Sequence, residues 1–223
     1  MKTNLWEMHA HTSEVSPCGS VSARELAESY IAQGYSGVII TDHFSYYGQQ
    51  KAPEGDWNTW VDFFCSGWRA AKEAAAGRLQ VLFGAELCLT ENSNDYLLYG
   101  VTESFLRAHP ELLQLPLRKV RRLADENGIL IYQAHPFRNG MTVMDPRLLD
   151  GVEIYNGNKR HDSRNEIAAA WAARFGLGTV SGSDFHEQED LARGGILNDA
   201  DVRTMQEMQR VLQSGALEIR RTP

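Results

Sequence analysis

The stretch Leu5-Trp6-Glu7-Met8-His9-Ala10-His11 decides the fold and the site that this 223-residue chain is predicted to have. It is a short, largely apolar run that ends in two histidines separated by one residue. Side chains alternate between the two faces of a β-strand, so His9 and His11 would project from the same face. Each imidazole can supply a neutral nitrogen to a metal ion, and we therefore expect this strand to end at a metal site.

Segments with the pattern of strands alternate with helical segments along the rest of the chain. Apolar runs predict strands at residues 5–11, 37–41, 79–84, 96–101, 129–133, 151–155 and 178–182. Helical periodicity predicts helices at residues 23–33, 60–76, 115–126, 163–175 and 201–213. Residues 44–59 are expected to form a long irregular segment. About seven strands interleaved with helices indicate an α/β protein with a parallel sheet, either closed as a barrel or open.

Length and composition set further bounds on the class of protein. Hydrophobic residues make up 43% of the chain, which is ordinary for one domain that spans residues 1–223. Neither a signal peptide nor a membrane span is expected, because the chain lacks a long apolar run. The three cysteines are odd in number and predict reduced thiols in the cytoplasm. The formal charge of −7 disfavours binding to a polynucleotide but allows a small phosphorylated substrate.

Histidines and acidic residues collect where the predicted strands end. The carboxyl ends of barrel strands meet on one face, so these side chains are expected to converge there. Nitrogen and carboxylate donors suit Zn²⁺, Mn²⁺ or iron. The set exceeds what one ion needs, and we expect two or three divalent transition-metal ions that share a bridging carboxylate, an arrangement typical of hydrolases. The strand-end set is His9, His11, Asp42, His43, Glu86, His135, Asp184 and His186.

Five motifs, in order along the chain, resemble those of the PHP family, named for polymerase and histidinol phosphatase. The resemblance extends from Leu5 to His186. It implies a distorted (β/α)7 barrel with a centre of two or three metal ions, and phosphoester hydrolysis as the activity. The motifs are His9-Ala10-His11-Thr12, Thr41-Asp42-His43, Gly84-Ala85-Glu86, Ala134-His135-Pro136 and Gly182-Ser183-Asp184-Phe185-His186.

The same resemblance implies three metal positions. His43 and His186 would hold the third ion. The second ion would be bound by His135, with Glu86 as the carboxylate that bridges it to the first. The first ion would be held by His9, His11, Glu86 and Asp184.

Two positions depart from the usual pattern of the family. The third metal position usually has a further histidine or aspartate shortly after the first motif, where this chain offers Glu14 or Cys18. The second usually has a histidine near the fourth strand, where this chain has Asp95. We expect Glu14 and Asp95 to act as carboxylate ligands; the alternative is that both are ordinary solvated acids.

A phosphorylated substrate needs cationic partners beyond the metal ions. Arg138 and Arg160 follow predicted strand ends on the expected active-site face, and His161 could reach a substrate as a proton donor. The alternative for the arginines is solvated surface charge. The aromatic residues of the segment 44–60 would form either a wall against an apolar leaving group or a cluster packed on the neighbouring helix.

The sequence therefore indicates a cytoplasmic phosphoesterase that hydrolyses a small phosphorylated metabolite or nucleotide through a metal-activated hydroxide. Asp184 and His186 are best placed to orient the nucleophile or to transfer protons. Two alternatives remain open. One is a nuclease that acts on polynucleotide ends, and the other is a metal-binding or regulatory domain that the departures at Glu14 and Asp95 have deprived of turnover. The sequence does not indicate the oligomeric state.

Overall fold

Short apolar segments form one nearly closed, barrel-shaped sheet in the computed structural model, which describes residues 3–222. Ten strands make up this sheet within the described residues. They are β1 (Asn4–Ala10), β2 (Gly37–Ile40), β3 (His43–Phe44), β4 (Gln80–Cys88), β5 (Asp95–Tyr99), β6 (Leu130–Gln133), β7 (Gly151–Asn156), β8 (Gly178–Gly182), β9 (Ile196–Asn198) and β10 (Glu218–Ile219).

Helices connect the strands and cover the outside of the sheet. They are α1 (Ala23–Ala32), α2 (Tyr46–Gln49), α3 (Trp57–Phe64), α4 (Ser66–Ala75), α5 (Glu103–Ala108), α6 (Leu117–Asn127), α7 (Asn165–Phe175) and α8 (Met205–Ser214), with single 3₁₀ turns at Leu112–Gln114, Pro146–Leu148 and Gln188–Asp190. Helix α1 begins where the sequence predicts, because Ser22 and Glu25 form a reciprocal capping box. Helix α8 begins at residue 205 rather than 201, because Thr204 and Glu207 form the cap.

The sheet is ordered β10-β9-β1-β2-β4-β5-β6-β7-β8, with β3 beside β4. The chain just after β8 then pairs with the end of β1. The N–H of His11 donates to the carbonyl of Phe185 (3.0 Å), and the N–H of Phe185 donates to the carbonyl of His9 (3.2 Å). These bonds close the barrel at its carboxyl end, and the α/β barrel predicted from the sequence is confirmed.

Strand β5 runs antiparallel to both of its neighbours, β4 and β6, whereas the sequence pattern predicts a parallel sheet. Residues 89–94 alone connect β4 to β5. A parallel crossover needs a dozen or more residues, so a connection this short reverses the chain. As a result, Asp95, the first residue of β5, lies at the same edge of the sheet as the carboxyl ends of the parallel strands.

The segment 44–59 is more regular than its sequence indicates. It contains the end of β3, the short helix α2 and the start of α3, and Ser45 and Asp56 cap the two helices. The single helix predicted at 60–76 is divided into α3 and α4 at Cys65. Strands β3, β9 and β10 are two or three residues long, which is too short for a periodic pattern. This accounts for the expectation of about seven strands instead of ten.

Three hydrophobic clusters form the core. One lies between the first strands and helices α1 and α4, and another lies between β4–β7 and the helices α3, α5, α6 and α7. The third fills the barrel with residues such as Trp6, Ile39 and Leu97, and continues into α8. Gln209 of α8 donates to the carbonyl of Tyr99 (2.8 Å), so α8 closes the end of the barrel opposite the strand ends that hold the histidines. No helix among residues 3–222 is long and apolar enough to cross a membrane.

Candidate metal centre

Eight potential ligands converge at the carboxyl end of the barrel. They are His9 and His11 at the end of β1, His43 at the start of β3, Glu86 in β4, Asp95 at the start of β5, His135 after β6, and Asp184 and His186 after β8. Within the described residues, four groups of three place one ligand atom each within 4.8 Å of the others. The groups are His9, Glu86 and His135; His9, His11 and Asp184; His43, Glu86 and Asp95; and His11, His43 and His186.

Glu86 lies in the middle of these groups and is fully buried. Its Oε1 faces the Nε2 atoms of His9 (3.1 Å) and His135 (3.3 Å). Its Oε2 faces Nε2 of His11 (3.4 Å) and Nδ1 of His43 (2.8 Å). Each carboxylate oxygen is therefore shared with a different pair of imidazoles, which is the arrangement that a carboxylate bridging two ions requires.

Asp184 divides its two oxygens in a similar way. Its Oδ1 lies 3.4 Å from Nε2 of His9 and 3.6 Å from Nε2 of His11. Its Oδ2 accepts hydrogen bonds from the guanidinium of Arg138 (2.7 Å) and from the side-chain amide of Asn156 (3.1 Å). One oxygen is thus held by neutral and cationic donors, while the other is left facing the histidines.

Hydrogen bonds fix the tautomers of three histidines. Nδ1 of His9 donates to Oε1 of Glu153 (3.0 Å), and Nδ1 of His186 donates to the carbonyl of Asp184 (2.9 Å). Nδ1 of His11 lies 3.2 Å from Oγ of Ser16, whose own proton goes to Asp42 (2.7 Å). Since Ser16 must then accept, Nδ1 of His11 is the donor. In the neutral form of all three rings Nε2 carries the lone pair that a metal needs.

The donor atoms at the centre of the cluster have few partners of their own. Nε2 of His9, Nε2 of His11 and Oε2 of Glu86 are buried and make no hydrogen bond within residues 3–222, although they approach one another closely. A buried polar atom left without a partner costs about 1–3 kcal/mol. The free energy is recovered if a divalent cation binds among them, and nitrogen and carboxylate donors suit Zn²⁺, Mn²⁺ and iron. These residues fit a metal centre.

The electrostatics agree with a cation site. Burial lowers the pKa of His9, but the carboxylates of Glu86, Asp184 and Glu153 outweigh it and raise this pKa well above its ordinary value. Burial lowers the pKa of His11, and the neighbouring imidazoles of His186 and His43 lower it further. The carboxylates therefore attract positive charge at His9, where a metal ion would compete with a proton, while His11 is held neutral and ready to bind.

Glu153 in β7 supports the cluster from behind. Its Oε1 accepts from the ring of His9, and its Oε2 accepts from the backbone N–H of His135 at 3.0 Å. His135 has the unusual φ of +29°, and this hydrogen bond helps to hold that conformation. Gly182 of β8 faces the same place, since a Cβ there would lie 2.3 Å from Cβ of His9.

Glu7 is a second buried carboxylate that sequence reasoning missed. It accepts from the N–H groups of His9 (3.0 Å) and Ser183 (2.8 Å) and from the hydroxyl of Tyr30 (2.8 Å). It thereby joins β1 to the chain after β8 and fixes the backbone on both sides of the cluster. Both Glu7 and Glu153 are single acids inside apolar strands that are buried on both faces, and that is the signal by which they could have been found.

Glu14 and Cys18 are placed differently from each other. Both carboxylate oxygens of Glu14 accept from the N–H of Ala23, the first residue of α1, at 3.0 and 2.9 Å. Glu14 belongs to none of the groups of potential ligands. Cys18 instead lines the cavity above the cluster. Burial raises the pKa of its thiol, but hydrogen bonds with His186 and His43 prevail and lower the pKa to about 6.

The cavity above the cluster has a volume of about 300 Å³, and Arg138, Arg160 and His161 line it as the sequence leads one to expect. Arg138 bonds to Asp184, and Arg160 bonds to Asp190 (2.8 Å), so both guanidinium groups are held in place. A larger groove of about 870 Å³ between β9 and α8 is lined by none of the potential ligands.

The aromatic residues of the segment 44–60 serve two purposes. Phe44, Trp57 and Trp60 stack on one another in the core, with ring centroids of Phe44 and Trp60 4.2 Å apart. Tyr46 and Tyr47 are exposed, and they line a second cavity of about 240 Å³ that shares His43 and Asp95 with the first. The core cluster and the wall near the site are therefore both present, formed by different residues.

Comparison with protein families gives two matches. Residues 7–183 match the model described as the PHP domain, and residues 162–217 match a model described as PHP-associated. No curated protein sequence is significantly similar to the chain.

Several solved structures share the fold at 17% sequence identity. The first is a two-domain protein from Bacteroides vulgatus, described as containing a predicted PHP-like metal-dependent phosphoesterase (TM-score 0.69), and the match covers 99% of this chain and 65% of that one. PsfC from Pseudomonas syringae has a TM-score of 0.66, with 100% and 93% covered. The lesion-specific endonuclease Q from Pyrococcus furiosus has a TM-score of 0.66, with 98% and 58% covered. This chain thus spans less than two thirds of the first and third of these proteins.

Proposed function

The chain belongs to the PHP domain family, and we propose that it is a metal-dependent phosphoesterase that hydrolyses a small phosphorylated metabolite or nucleotide. The observation that supports this proposal best is the buried cluster of imidazoles and carboxylates beneath a cavity lined by arginines. Divalent ions bound there would lower the pKa of water and neutralise charge on phosphoryl oxygens. The three cysteines of the sequence are free thiols, which supports a cytoplasmic location.

We assign the ions to three positions within the cluster. His43 and His186 belong to the third position. The second is formed by His135, Glu86 and Asp95, whose Oδ2 lies 3.8 Å from Nε2 of His135. Glu14 is left out of the assignment, because its carboxylate holds the start of α1. The first position is formed by His9, His11, Glu86 and Asp184.

The residues around the cavity would bind and orient the phosphate. Arg138 and Arg160 place two positive charges on its wall, and guanidinium groups suit phosphate oxygens. Arg138 also holds Asp184 so that its Oδ1 stays turned toward the histidines. Burial and the charge of Arg138 lower the pKa of His161, so this ring is neutral at pH 7. It is better suited to accept a proton than to act as the proton donor that its position in the sequence indicates. Asp184 and His186 remain the proposed residues for orienting the nucleophile.

A nuclease is the second candidate, because the fold is shared with endonuclease Q. Two observations favour a small substrate. The chain has a formal charge of −7, whereas binding to a polynucleotide draws most of its affinity from lysine and arginine on phosphates. The cavity of about 300 Å³ is at the lower end of the range for small-molecule sites.

The test is hydrolysis by purified protein loaded with Mn²⁺, Zn²⁺ or Fe²⁺. A panel of phosphorylated metabolites, a mononucleotide and a short oligonucleotide is assayed, with Asp184→Asn as the inactive variant and His109→Ala, outside the cluster, as its control. Turnover of small phosphoesters that Asp184→Asn abolishes supports the proposal. Preferred cleavage of the oligonucleotide supports the nuclease. Full metal content without any turnover would identify a metal-binding domain and overturn the proposal.

A further inference from the structure

Cys18 lies on the turn that follows β1, and this turn is tied to two of the candidate ligands. The hydroxyl of Ser16 accepts the N–H of His43 at 3.2 Å, and the N–H of Ser20 donates to the carbonyl of His186 at 2.9 Å. These two bonds lie on either side of Cys18. The position of its side chain relative to both histidines is therefore set by the backbone of the barrel.

The thiol itself points toward the cluster. It interacts with the imidazoles of both His43 and His186 and lines the same cavity as Glu86 and Asp184. Exposure of the side chain is on the cavity side, where an ion could reach it. Cys18 thus has the position that a ligand to an ion between these two histidines must have.

His11 gives an independent reason to expect an ion at this place. Its ring centroid lies 4.3 Å from that of His43 and 4.2 Å from that of His186, and ring nitrogens of the three lie within 4.8 Å of one another. Nε2 of His11 is fully buried and makes no hydrogen bond to a described residue. A neutral nitrogen in that situation faces a site for a cation.

The other polar side chains of the turn are already engaged. Glu14 accepts from the start of α1 through both oxygens, and the hydroxyls of Thr12 and Ser16 donate to Asp42 at 2.8 and 2.7 Å. Asp42 in turn is occupied by these donors. Cys18 is therefore the residue of this turn whose donor atom is directed at the cluster.

We propose that the thiolate of Cys18 is a ligand of the third metal position, together with His43 and His186. The inference rests on the metal centre proposed above and adds a sulfur donor to it. Thiolate and imidazole ligands favour Zn²⁺ and other soft ions, whereas the carboxylates of Glu86 and Asp95 favour harder ions such as Mn²⁺. One centre would then contain positions of different metal preference, and the third would select Zn²⁺ rather than the Mn²⁺ or iron that a carboxylate from Glu14 would select.

Cobalt provides the test, because Co²⁺ bound to a thiolate shows a near-ultraviolet charge-transfer band that nitrogen and oxygen ligands do not give. Wild type, Cys18→Ser and Cys88→Ser are each titrated with Co²⁺, and circular dichroism verifies that the variants fold. Cys88 is the matched control, since it is a partly buried thiol near Asp95 at the other side of the cluster. A fourth variant, Cys18→Asp, replaces sulfur by oxygen.

We expect the band in wild type and in Cys88→Ser and its loss in Cys18→Ser, with at least tenfold weaker binding of one ion. Cys18→Asp should bind that ion again without the band and with the preference shifted from Zn²⁺ to Mn²⁺. A band that persists in Cys18→Ser, or Co²⁺ bound to wild type without any band, overturns this inference and leaves the proposed function standing. Wild type that binds no Co²⁺, Zn²⁺ or Mn²⁺ overturns both.

Discussion

Glu153 and Glu86 grip the two ring nitrogens of His9 from opposite sides, and the contact between Glu153 and His9 is the one that orients the ring. Nδ1 of His9 lies 3.0 Å from Oε1 of Glu153, and Nε2 lies 3.1 Å from Oε1 of Glu86. The register shifts within β1 between Glu7 and Ala10, and within β7 between Glu153 and Tyr155. Both partners thus lie at β-bulges, which commonly redirect side chains next to active sites.

Replacing Glu153 by Gln is expected to weaken metal binding by 10-fold to 100-fold, roughly the usual effect of removing a carboxylate that orients a ligating histidine. The glutamine keeps the size of the side chain but removes the charge that fixes the ring of His9. Competition with a chelator measures the affinity, and Glu166→Gln, on the exposed side of α7, is the control. Metal affinity equal to wild type in Glu153→Gln would show that the ring needs no such support.

Asp95→Asn and Glu14→Gln are expected to differ. The Asp95 carboxylate faces His43, Glu86 and His135, so its loss should remove about one ion per chain. Glu14 bonds to the start of α1, so Glu14→Gln should keep the full metal content and lower stability by at most about 1 kcal/mol. Elemental analysis and urea unfolding measure the two effects. A lost ion in Glu14→Gln, or none lost in Asp95→Asn, would mean that the ligands have been assigned incorrectly.

Cys18 is expected to be the fastest thiol to react with iodoacetamide in metal-free protein. Hydrogen bonds with His186 and His43 lower its pKa to about 6, so its rate should rise through pH 6 and level off above it. Burial raises the pKa of Cys88 to about 12, and its rate should still be rising at pH 9. Peptide mapping by mass spectrometry follows each site. Added Zn²⁺ should protect Cys18 but not Cys88, and equal reactivity of Cys18 with and without Zn²⁺ would argue against a bound thiolate.

Tyr46 and Tyr47 are expected to affect substrates with a large planar leaving group. They line the cavity next to His43 and Asp95, and a stacked aromatic contact contributes about 0.5–1.5 kcal/mol. Replacing both by Ser should raise KM for such a phosphate ester roughly 2–10-fold and leave that for a small alkyl phosphate unchanged. Phe175→Ser, an exposed aromatic residue of α7, is the control. Equal losses on both substrates would indicate damage to the scaffold rather than a lost contact.

The comparison of sequence with structure separates local patterns from long-range ones. The alternation of β1 places His9 and His11 correctly, and the strand ends identify Glu86, His135 and Asp184, because strand direction alone determines where such residues meet. The reversal of β5, which brings Asp95 to the cluster, depends on a connection whose consequence is visible only in three dimensions. Glu7 and Glu153 resemble isolated acids in apolar runs.

The choice between Glu14 and Cys18 could not be made from spacing. Both residues lie within a short distance of His11 along the chain, and a carboxylate is the more usual companion of histidine and aspartate ligands. The turn is shaped by the bonds from Thr12 and Ser16 to Asp42, which lies 30 and 26 residues away in sequence. Those contacts direct Glu14 toward α1 and Cys18 toward His43 and His186.

The metal content of the purified protein tests the central claim most directly. After removal of bound metal with a chelator, reconstitution with Zn²⁺ and Mn²⁺ and removal of excess ions, elemental analysis gives the number of ions per chain. The arrangement of imidazoles and carboxylates around Glu86 predicts two or three ions, and a loss of at least one in Asp184→Asn. Fewer than one ion per chain in folded wild type would contradict the account.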